Sequence, residues 1–211
     1  MGVSIKVNTF SSITRVSRET IISLKKYEEL LLKANKSLNL VGKSTIDKIW
    51  ERHFLDSYQA IDFIDKNGYN VSDLGSGAGF PGLLLGIIAK DRKIDIKIKL
   101  IEKSPKKIKF LKETIKELNL NIETLNKNIF EEEYKITEDV LMARAFKPLS
   151  VIFELIHKKA ENWKKIIVFL GKTGKTELDQ ASKSWDIKYK QKVSITNIDS
   201  MIIDIESLKK K

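Results

Sequence analysis

Apolar residues in the first 68 positions recur at the spacing of amphipathic helices. A helix is predicted over 18–36, because its apolar residues fall three or four positions apart and form one face. A second helix is predicted to begin near Ser44 and to end before Asn67-Gly68, a pair that stops helices. The apolar positions of the two helices are Ile21, Leu24, Tyr27, Leu31 and Ala34, then Ile46, Ile49, Trp50, Phe54, Ile61 and Ile64.

After Tyr69 the pattern changes to short strands that alternate with helices. Helices are predicted to begin at residues 82, 104 and 149 and to end at residues 90, 118 and 160. Period-two alternation or buried apolar runs predict strands over 70–74, 94–101, 122–125, 139–143 and 165–170. Two further alternating stretches, 185–195 and 198–205, are typical of an antiparallel pair, and the lysine tail at 209–211 is expected to be loose.

This order of elements predicts an α/β fold. Strands that alternate with helices form a mostly parallel sheet with helices on both faces. Here a C-terminal antiparallel hairpin would close the sheet and an N-terminal helical cap would cover it. We predict one domain over 1–211, in which the helical extension 1–68 packs on a catalytic core at 69–211. Ligands in such sheets bind beyond the carboxyl ends of the strands, where the strand order reverses.

The loop after the first predicted strand reads DLGSGAGFPG from Asp73 to Gly82, and two cofactor templates fit it. G-x-G-x-x-G from Gly77 is the dinucleotide fingerprint, whereas acid-x-G-x-G-x-G from Asp73 is the pattern of S-adenosylmethionine (SAM) sites. Asp73 is predicted to face the ligand, because a carboxylate repels a pyrophosphate but attracts the sulfonium and amino groups of SAM. The alternative is that Asp73 only holds the loop through backbone N–H groups. The predicted cofactor residues here are Asp73, Gly75, Gly77 and Gly79.

Glu102 follows the second predicted strand. An acid at this position can accept both hydroxyl groups of a ribose, so it indicates a nucleoside ligand, NAD or SAM alike. A later stretch, GKTGKT at 171–176, resembles a P-loop. The P-loop motif needs a glycine five residues before Gly174, where this chain has Phe169, so hydrolysis of a nucleoside triphosphate is not predicted.

The composition favours a polyanionic partner. The 211-residue chain has a formal net charge of +11, which suits RNA or DNA, although a bias of the genome toward Lys, Ile and Asn would also produce it. The absence of cysteine excludes disulfides, thiolate catalysis and Cys-based zinc sites, and no metal site is predicted. No apolar run approaches the ~20 residues of a membrane span, so a cytoplasmic protein is expected.

Five segments together resemble the RsmG (GidB) family of 16S ribosomal RNA methyltransferases. They are NKSLNL at 35–40, RHFLDS at 52–57, DLGSGAGFPG at 73–82, KKIKFL at 106–111 and ARAF at 143–146. They occur in the family's order and spacing, and their combination is specific. The resemblance implies a class I, Rossmann-like SAM-dependent methyltransferase fold. It also implies methyl transfer from SAM to N7 of one guanine in small-subunit ribosomal RNA, in the cytoplasm.

The resemblance further implies particular contacts with SAM. They fall on Gly75 and Phe80 in the loop, on Ile129 and Phe130 after the third strand, and on Arg144 after the fourth. The chain departs from the family at two places. Asn128-Ile129-Phe130 stands where the family has Arg, a small residue or Val, then Glu, and Gly171-Lys172 reverses the usual Lys-Gly.

No catalytic residue is assigned, because N7 of guanine carries a free lone pair and needs no general base. The candidates are Arg144, as a contact to the SAM carboxylate or an RNA phosphate, and His53. On its pattern alone, a histidine on the apolar face of a helix is more often a hydrogen-bonded core residue than a catalyst. Phe146 is expected either to stack on a base or to pack in the core. The predicted RNA contacts are Arg52, Lys103, Lys106, Lys107 and Lys172.

Two alternative functions stay open from the sequence. An NAD-dependent oxidoreductase would explain G-x-G-x-x-G but lacks an evident acid or base at a hydride site. A non-catalytic RNA-binding module that kept the fold would explain the altered segment 128–130. The expected partner is 16S ribosomal RNA, within the small ribosomal subunit, and the expected state is a monomer.

Overall fold

A seven-stranded sheet forms the centre of the molecule. The computed structural model describes residues 2–64, 67–131 and 133–211. The strand order is β3-β2-β1-β4-β5-β7-β6. The strands are β1 Tyr69–Leu74, β2 Ile96–Glu102, β3 Ile122–Asn126, β4 Val140–Arg144, β5 Lys165–Leu170, β6 Trp185–Ser194 and β7 Asn197–Lys210.

The pairing of the strands confirms the predicted α/β class. Strands β1 to β5 pair in parallel, whereas β7 runs antiparallel to both β5 and β6. The strand order reverses at β1, which lies between β2 and β4, so a crevice opens beyond the carboxyl ends of these strands. The expectation of a loose lysine tail is wrong for Lys209 and Lys210, because Lys210 pairs with Trp185 at the end of the hairpin.

Helices cover both faces of the sheet. They are α1 Gly2–Thr14, α2 Arg18–Leu38, α3 Asp56–Tyr58, α4 Gly82–Arg92, α5 Pro105–Glu117, α6 Leu149–Lys159 and α7 Gly174–Ala181. Two of them were not predicted: α1, and α7, an eight-residue helix that begins inside the P-loop-like stretch. None of the helices in the described ranges is long and apolar enough to cross a membrane.

The second predicted helix is irregular. It runs as a 3-10 helix over Lys43–Lys48, a π-helix over Trp50–Leu55, the short α3 and a 3-10 helix over Gln59–Phe63. The wider π-turn buries Trp50, His53 and Phe54 together. Tertiary packing can impose such a turn on a sequence whose periodicity suggests a regular helix. Residues 65 and 66, at the predicted end of this helix, lie outside the described ranges.

The apolar core has two parts, one on each face of the sheet. On one face, α1, α2, the irregular segment 43–63, α4 and α5 pack against the strands, with Tyr27, Trp50 and Phe54 among the largest buried side chains. On the other face, α6 and α7 pack around Phe153 and Trp185. The N-terminal helices therefore share a core with the sheet.

We expect Gly79→Ala to destabilise the protein by about 2 kcal/mol, because a non-glycine residue at positive φ and a steric clash each cost energy. Gly79 has φ +98°, and a Cβ there would lie 2.7 Å from the Tyr27 hydroxyl oxygen and 2.9 Å from the Leu83 Cβ. Gly171→Ala is the matched control, since a Cβ at Gly171 meets nothing within 4 Å. Denaturant unfolding of both variants checks this, and equal stability would contradict it.

Candidate functional site

A cavity of about 540 Å³ occupies the crevice beyond the carboxyl ends of β1, β2 and β4. Its floor is the glycine loop, which we define as residues 75–81. One wall comes from the ends of β2 and β3, and another from residues 144–147 after β4. The remaining wall belongs to the N-terminal region, through residues 40–42 and His53. The volume is in the range of sites for small organic ligands.

The glycine loop is held by backbone hydrogen bonds to β2. The N–H groups of Gly75 and Ser76 both donate to the Ile101 carbonyl, at 2.9 and 3.0 Å. The Phe146 ring lies directly on the loop, because a Cβ at Gly75 would be only 2.2 Å from its Cδ2. Of the predicted loop residues, Gly75, Gly77 and Phe80 line the cavity.

Asp73 does not line the cavity, contrary to the prediction. Its side chain is 1% exposed beneath the loop, and Oδ2 accepts a hydrogen bond from the Gly82 N–H at 2.9 Å. This places the carboxyl at the N-terminus of α4, which favours negative charge, while burial raises its pKa to about 7. The alternative interpretation, that Asp73 holds the loop through backbone N–H groups, describes its observed contact. Gly79 is also absent from the cavity wall, because it faces Tyr27.

Glu102 lies on the cavity wall with both carboxylate oxygens oriented by the backbone. Oε2 accepts the Gly77 N–H at 3.1 Å, and Oε1 accepts the Ser104 N–H at 2.9 Å. A carboxylate oxygen has two lone pairs, so each oxygen can accept one more hydrogen bond. The side chain is 7% exposed, and it is fixed in a geometry that suits two neighbouring hydroxyl groups.

The segment after β3 forms an aromatic part of the wall. Ile129 and Phe130 both line the cavity, as does Phe146. The Phe130 and Phe146 rings stack, with centroids 5.9 Å apart and an interplanar angle of 20°. Asn128, where this chain departs from the family pattern, holds the turn, because its Oδ1 accepts the Phe130 N–H at 3.3 Å. The departure therefore leaves a turn held by Asn128, with two stacked aromatic rings at the cavity wall.

Arg144, the last residue of β4, reaches from the sheet to the irregular N-terminal segment. Its Nε–H donates to Asp56 Oδ2 at 3.0 Å, and an NH2 proton is donated to the Arg52 carbonyl at 2.6 Å. Its NH1 group lies 3.3 Å from His53 Nδ1. The guanidinium carbon is 5.9 Å from the centre of the Phe80 ring.

His53 is buried and neutral. Burial, followed by the charge of Arg144, lowers its pKa to about 4. The Thr45 hydroxyl donates to the Gly42 carbonyl, so its oxygen is the acceptor in the 2.9 Å contact with His53 Nε2. The proton of the imidazole is thus on Nε2, and Nδ1 is the acceptor that faces Arg144. The ring also stacks on Phe80 at 5.2 Å.

Lysines surround the cavity, though not all of those predicted. Lys103 and Lys107 line it, and so do Lys127 and Lys147, which the sequence reasoning missed. Three predicted RNA contacts lie elsewhere. Lys106 lines a separate groove between α2 and α5, and Lys172 and Arg52 are not part of the cavity wall. Arg52 contributes its backbone carbonyl to Arg144 instead.

Residues 40–42 are a second part of the site that the sequence did not assign. Asn35 fixes this wall, because its side-chain oxygen accepts the Val41 N–H at 2.9 Å and its amide donates to the Val41 carbonyl at 3.2 Å. The signal was present in the segment NKSLNL, which carried the family resemblance without suggesting a position in the fold.

We expect the His53 imidazole to remain neutral, with its proton on Nε2, from about pH 8 down to about pH 5, because its pKa is about 4. The unfolded chain would bind the proton first as the pH falls through about 6.5, so stability should decrease between about pH 6.5 and pH 4. Nitrogen-15 NMR of the two histidines, assigned with His157→Gln, measures this. Titration of His53 near pH 6.5 would contradict the buried arrangement.

Comparison with known proteins assigns this chain to a family. Residues 20–204 match the family model described as rRNA small subunit methyltransferase G. Ribosomal RNA small subunit methyltransferase G of Pelagibacter ubique is 40% identical over 198 residues, which cover 93% of this chain and 92% of the relative. The protein of the same name from Rickettsia akari is 38% identical over 195 residues, 92% of this chain and 98% of the relative.

A solved structure supports the fold independently of this sequence similarity. A SAM-dependent methyltransferase from Aquifex aeolicus superimposes with a TM-score of 0.55 at 15% identity, over 84% of this chain and 97% of the other. The family inferred from the five sequence segments is confirmed by the family model and the relatives. The chain belongs to the rRNA small subunit methyltransferase G family.

Proposed function

We propose that this protein transfers the methyl group of SAM to N7 of a guanine in 16S ribosomal RNA. The observation that carries the proposal is Glu102, whose two oxygens are oriented on the cavity wall beside the glycine loop. The family supplies the substrate class, because the relatives are named as ribosomal RNA small subunit methyltransferases.

The cavity residues fit SAM as the cofactor. Glu102 would accept the ribose hydroxyl groups, and the apolar wall formed by Ile129 and the Phe130 ring would hold the adenine. Gly75 and Gly77 let the loop backbone approach the ligand closely. Arg144 would meet the cofactor carboxylate or an RNA phosphate with its remaining N–H groups.

The chemistry requires orientation and no proton transfer by the protein. SAM held by these residues would supply an electrophilic methyl group on a sulfonium, which the N7 lone pair could accept without loss of a proton. N7 of guanine carries no proton, so the neutral His53 has nothing to remove and is not a general base. The residues of the cavity contribute by holding N7 in line with the methyl group, a proximity effect.

The lysines around the cavity suit an RNA substrate. Lys103, Lys107, Lys127 and Lys147 line the cavity. Contacts of such lysines with RNA phosphates would make binding dependent on salt. The target guanine must be unpaired or extruded to enter the cavity. We place the reaction in the cytoplasm, on the small ribosomal subunit. We expect the protein to act as a monomer.

We expect labelled methyl groups to pass from SAM to small ribosomal subunits that lack base modifications, with the label at N7 of one guanine. Naked 16S RNA is the second substrate, which distinguishes assembled subunit from free RNA. Mapping the labelled position tests the specificity. SAM binding without transfer to either substrate would contradict the proposed substrate, and RNA binding without SAM binding would support a non-catalytic RNA-binding module.

We expect Glu102→Gln to raise the Kd for SAM at least about tenfold, because one backbone N–H would face the new amide NH₂ and a ribose hydroxyl would lose a charged acceptor. Glu113→Gln is the matched control, since Glu113 is exposed on α5 and pairs only loosely with Lys109 at 3.9 Å. Calorimetric titration of SAM into each variant measures the effect. Equal affinities of the wild type and Glu102→Gln for SAM would contradict a contact between Glu102 and the cofactor.

A further inference from the structure

The tip of the β6–β7 hairpin touches the irregular N-terminal segment through one carboxylate, that of Asp56. Its Oδ1 accepts hydrogen bonds from the Ser194 hydroxyl at 2.8 Å and the Thr196 hydroxyl at 3.0 Å. Its Oδ2 accepts the Nε–H of Arg144 at 3.0 Å. One side of Asp56 therefore binds the hairpin, and the other side binds an arginine of the cavity wall.

Further hydrogen bonds tie the hairpin tip to the same segment. The Gln59 side chain is 1% exposed; it donates to Ser194 Oγ at 3.1 Å and accepts the Ile195 N–H at 3.0 Å. Its amide group also donates to the Asp56 carbonyl at 3.2 Å. Ser194 is itself 5% exposed. A network in which each buried group is paired fixes the positions of its members more narrowly than apolar contacts do.

Arg144 is strongly constrained by this network. A guanidinium has five N–H donors, and three of them meet Asp56, the Arg52 carbonyl and His53. The side chains of Arg144 and Asp56 are only 17% and 15% exposed. Water screens such a pair weakly, so loss of the carboxylate would leave a partly buried cation free to reorient toward the cavity.

We propose that Asp56 is a positioning residue for methyl transfer, and that it acts by holding Arg144 in the orientation the cavity needs. Ser194 and Thr196 assist by fixing the carboxylate from the opposite side. The inference rests on the proposed function, because the reaction affected is the methyl transfer described above. Asp56 does not touch the substrate or the cofactor in this role; Arg144 does.

The chain supplies a matched control for Asp56. Asp62 belongs to the same irregular segment and also pairs with the hairpin, through Lys192 Nζ at 2.5 Å. The two side chains of that pair are 46% and 42% exposed, and neither lines the cavity. Asp62→Asn therefore removes a contact between the same two parts of the molecule without altering the support of Arg144.

We expect Asp56→Asn to lower kcat/KM for methyl transfer at least about tenfold per folded molecule, because Arg144 would lose its charged partner. Asp62→Asn should stay within about twofold of the wild type. The double variant Ser194→Ala/Thr196→Ala keeps the Asp56–Arg144 pair but removes the two hydroxyl groups that donate to Asp56 Oδ1. We therefore expect an intermediate loss of kcat/KM. In an Arg144→Lys background, Asp56→Asn should have little further effect, since both changes act through one contact.

An independent readout does not depend on activity. The Nε–H signal of Arg144 in proton–nitrogen NMR should be narrow and slow to exchange in the wild type and in Asp62→Asn, and shifted or broadened in Asp56→Asn. Should Asp56→Asn prove unfolded, the Ser194→Ala/Thr196→Ala protein carries the same two measurements.

The outcomes separate the two proposals. An unchanged Arg144 signal in Asp56→Asn, or unchanged kcat/KM in folded Asp56→Asn protein, would overturn the positioning role. Absence of methyl transfer by the wild-type protein would instead overturn the proposed function. The NMR comparison would then still decide whether Asp56 sets the orientation of Arg144.

Discussion

The hydrogen bond from the Tyr27 hydroxyl to the Ala78 carbonyl, at 2.5 Å, joins the N-terminal helices to the glycine loop. Tyr27 is fully buried, and its ring also contacts Phe54 and Phe80. The contact requires the loop backbone to approach α2 closely, which is possible because Gly79 has no side chain. The loop, the helices and one wall of the cavity are therefore fixed as a unit.

The polar groups around the cavity are arranged by the backbone and by one another. The backbone N–H groups of Gly77 and Ser104 orient Glu102. Arg144 is held by three acceptors from the segment 52–56, and His53 is neutral because burial and Arg144 both disfavour its charged form. Such preorganisation matters more than acid–base strength for a reaction that needs alignment. The flat, aromatic side of the cavity at Phe130 and Phe146 complements these charged groups.

Much of this arrangement could be predicted from the sequence, because its determinants are local. The glycine loop follows a strand, Glu102 ends the next strand, and alternation of strands with helices implies the parallel sheet. The prediction failed where long-range packing decides. Nothing in the sequence near Asp73 shows that its carboxyl points to Gly82, and helical periodicity does not reveal a π-helix at 50–55. Lys127 and Lys147 reach the cavity only through the fold, so a charge pattern does not identify them.

The hairpin contact at Asp56 also has a consequence for the order in which the molecule assembles. Thr196 meets Asp56 across 140 positions of the chain, and closing so long a loop is slow compared with forming the helices and the first strands. During synthesis, β1, the glycine loop and β2 emerge well before β7, which inserts between β5 and β6. A nascent chain can thus shape the loop early, whereas the arginine beside it gains its final neighbours only when the last strands are in place.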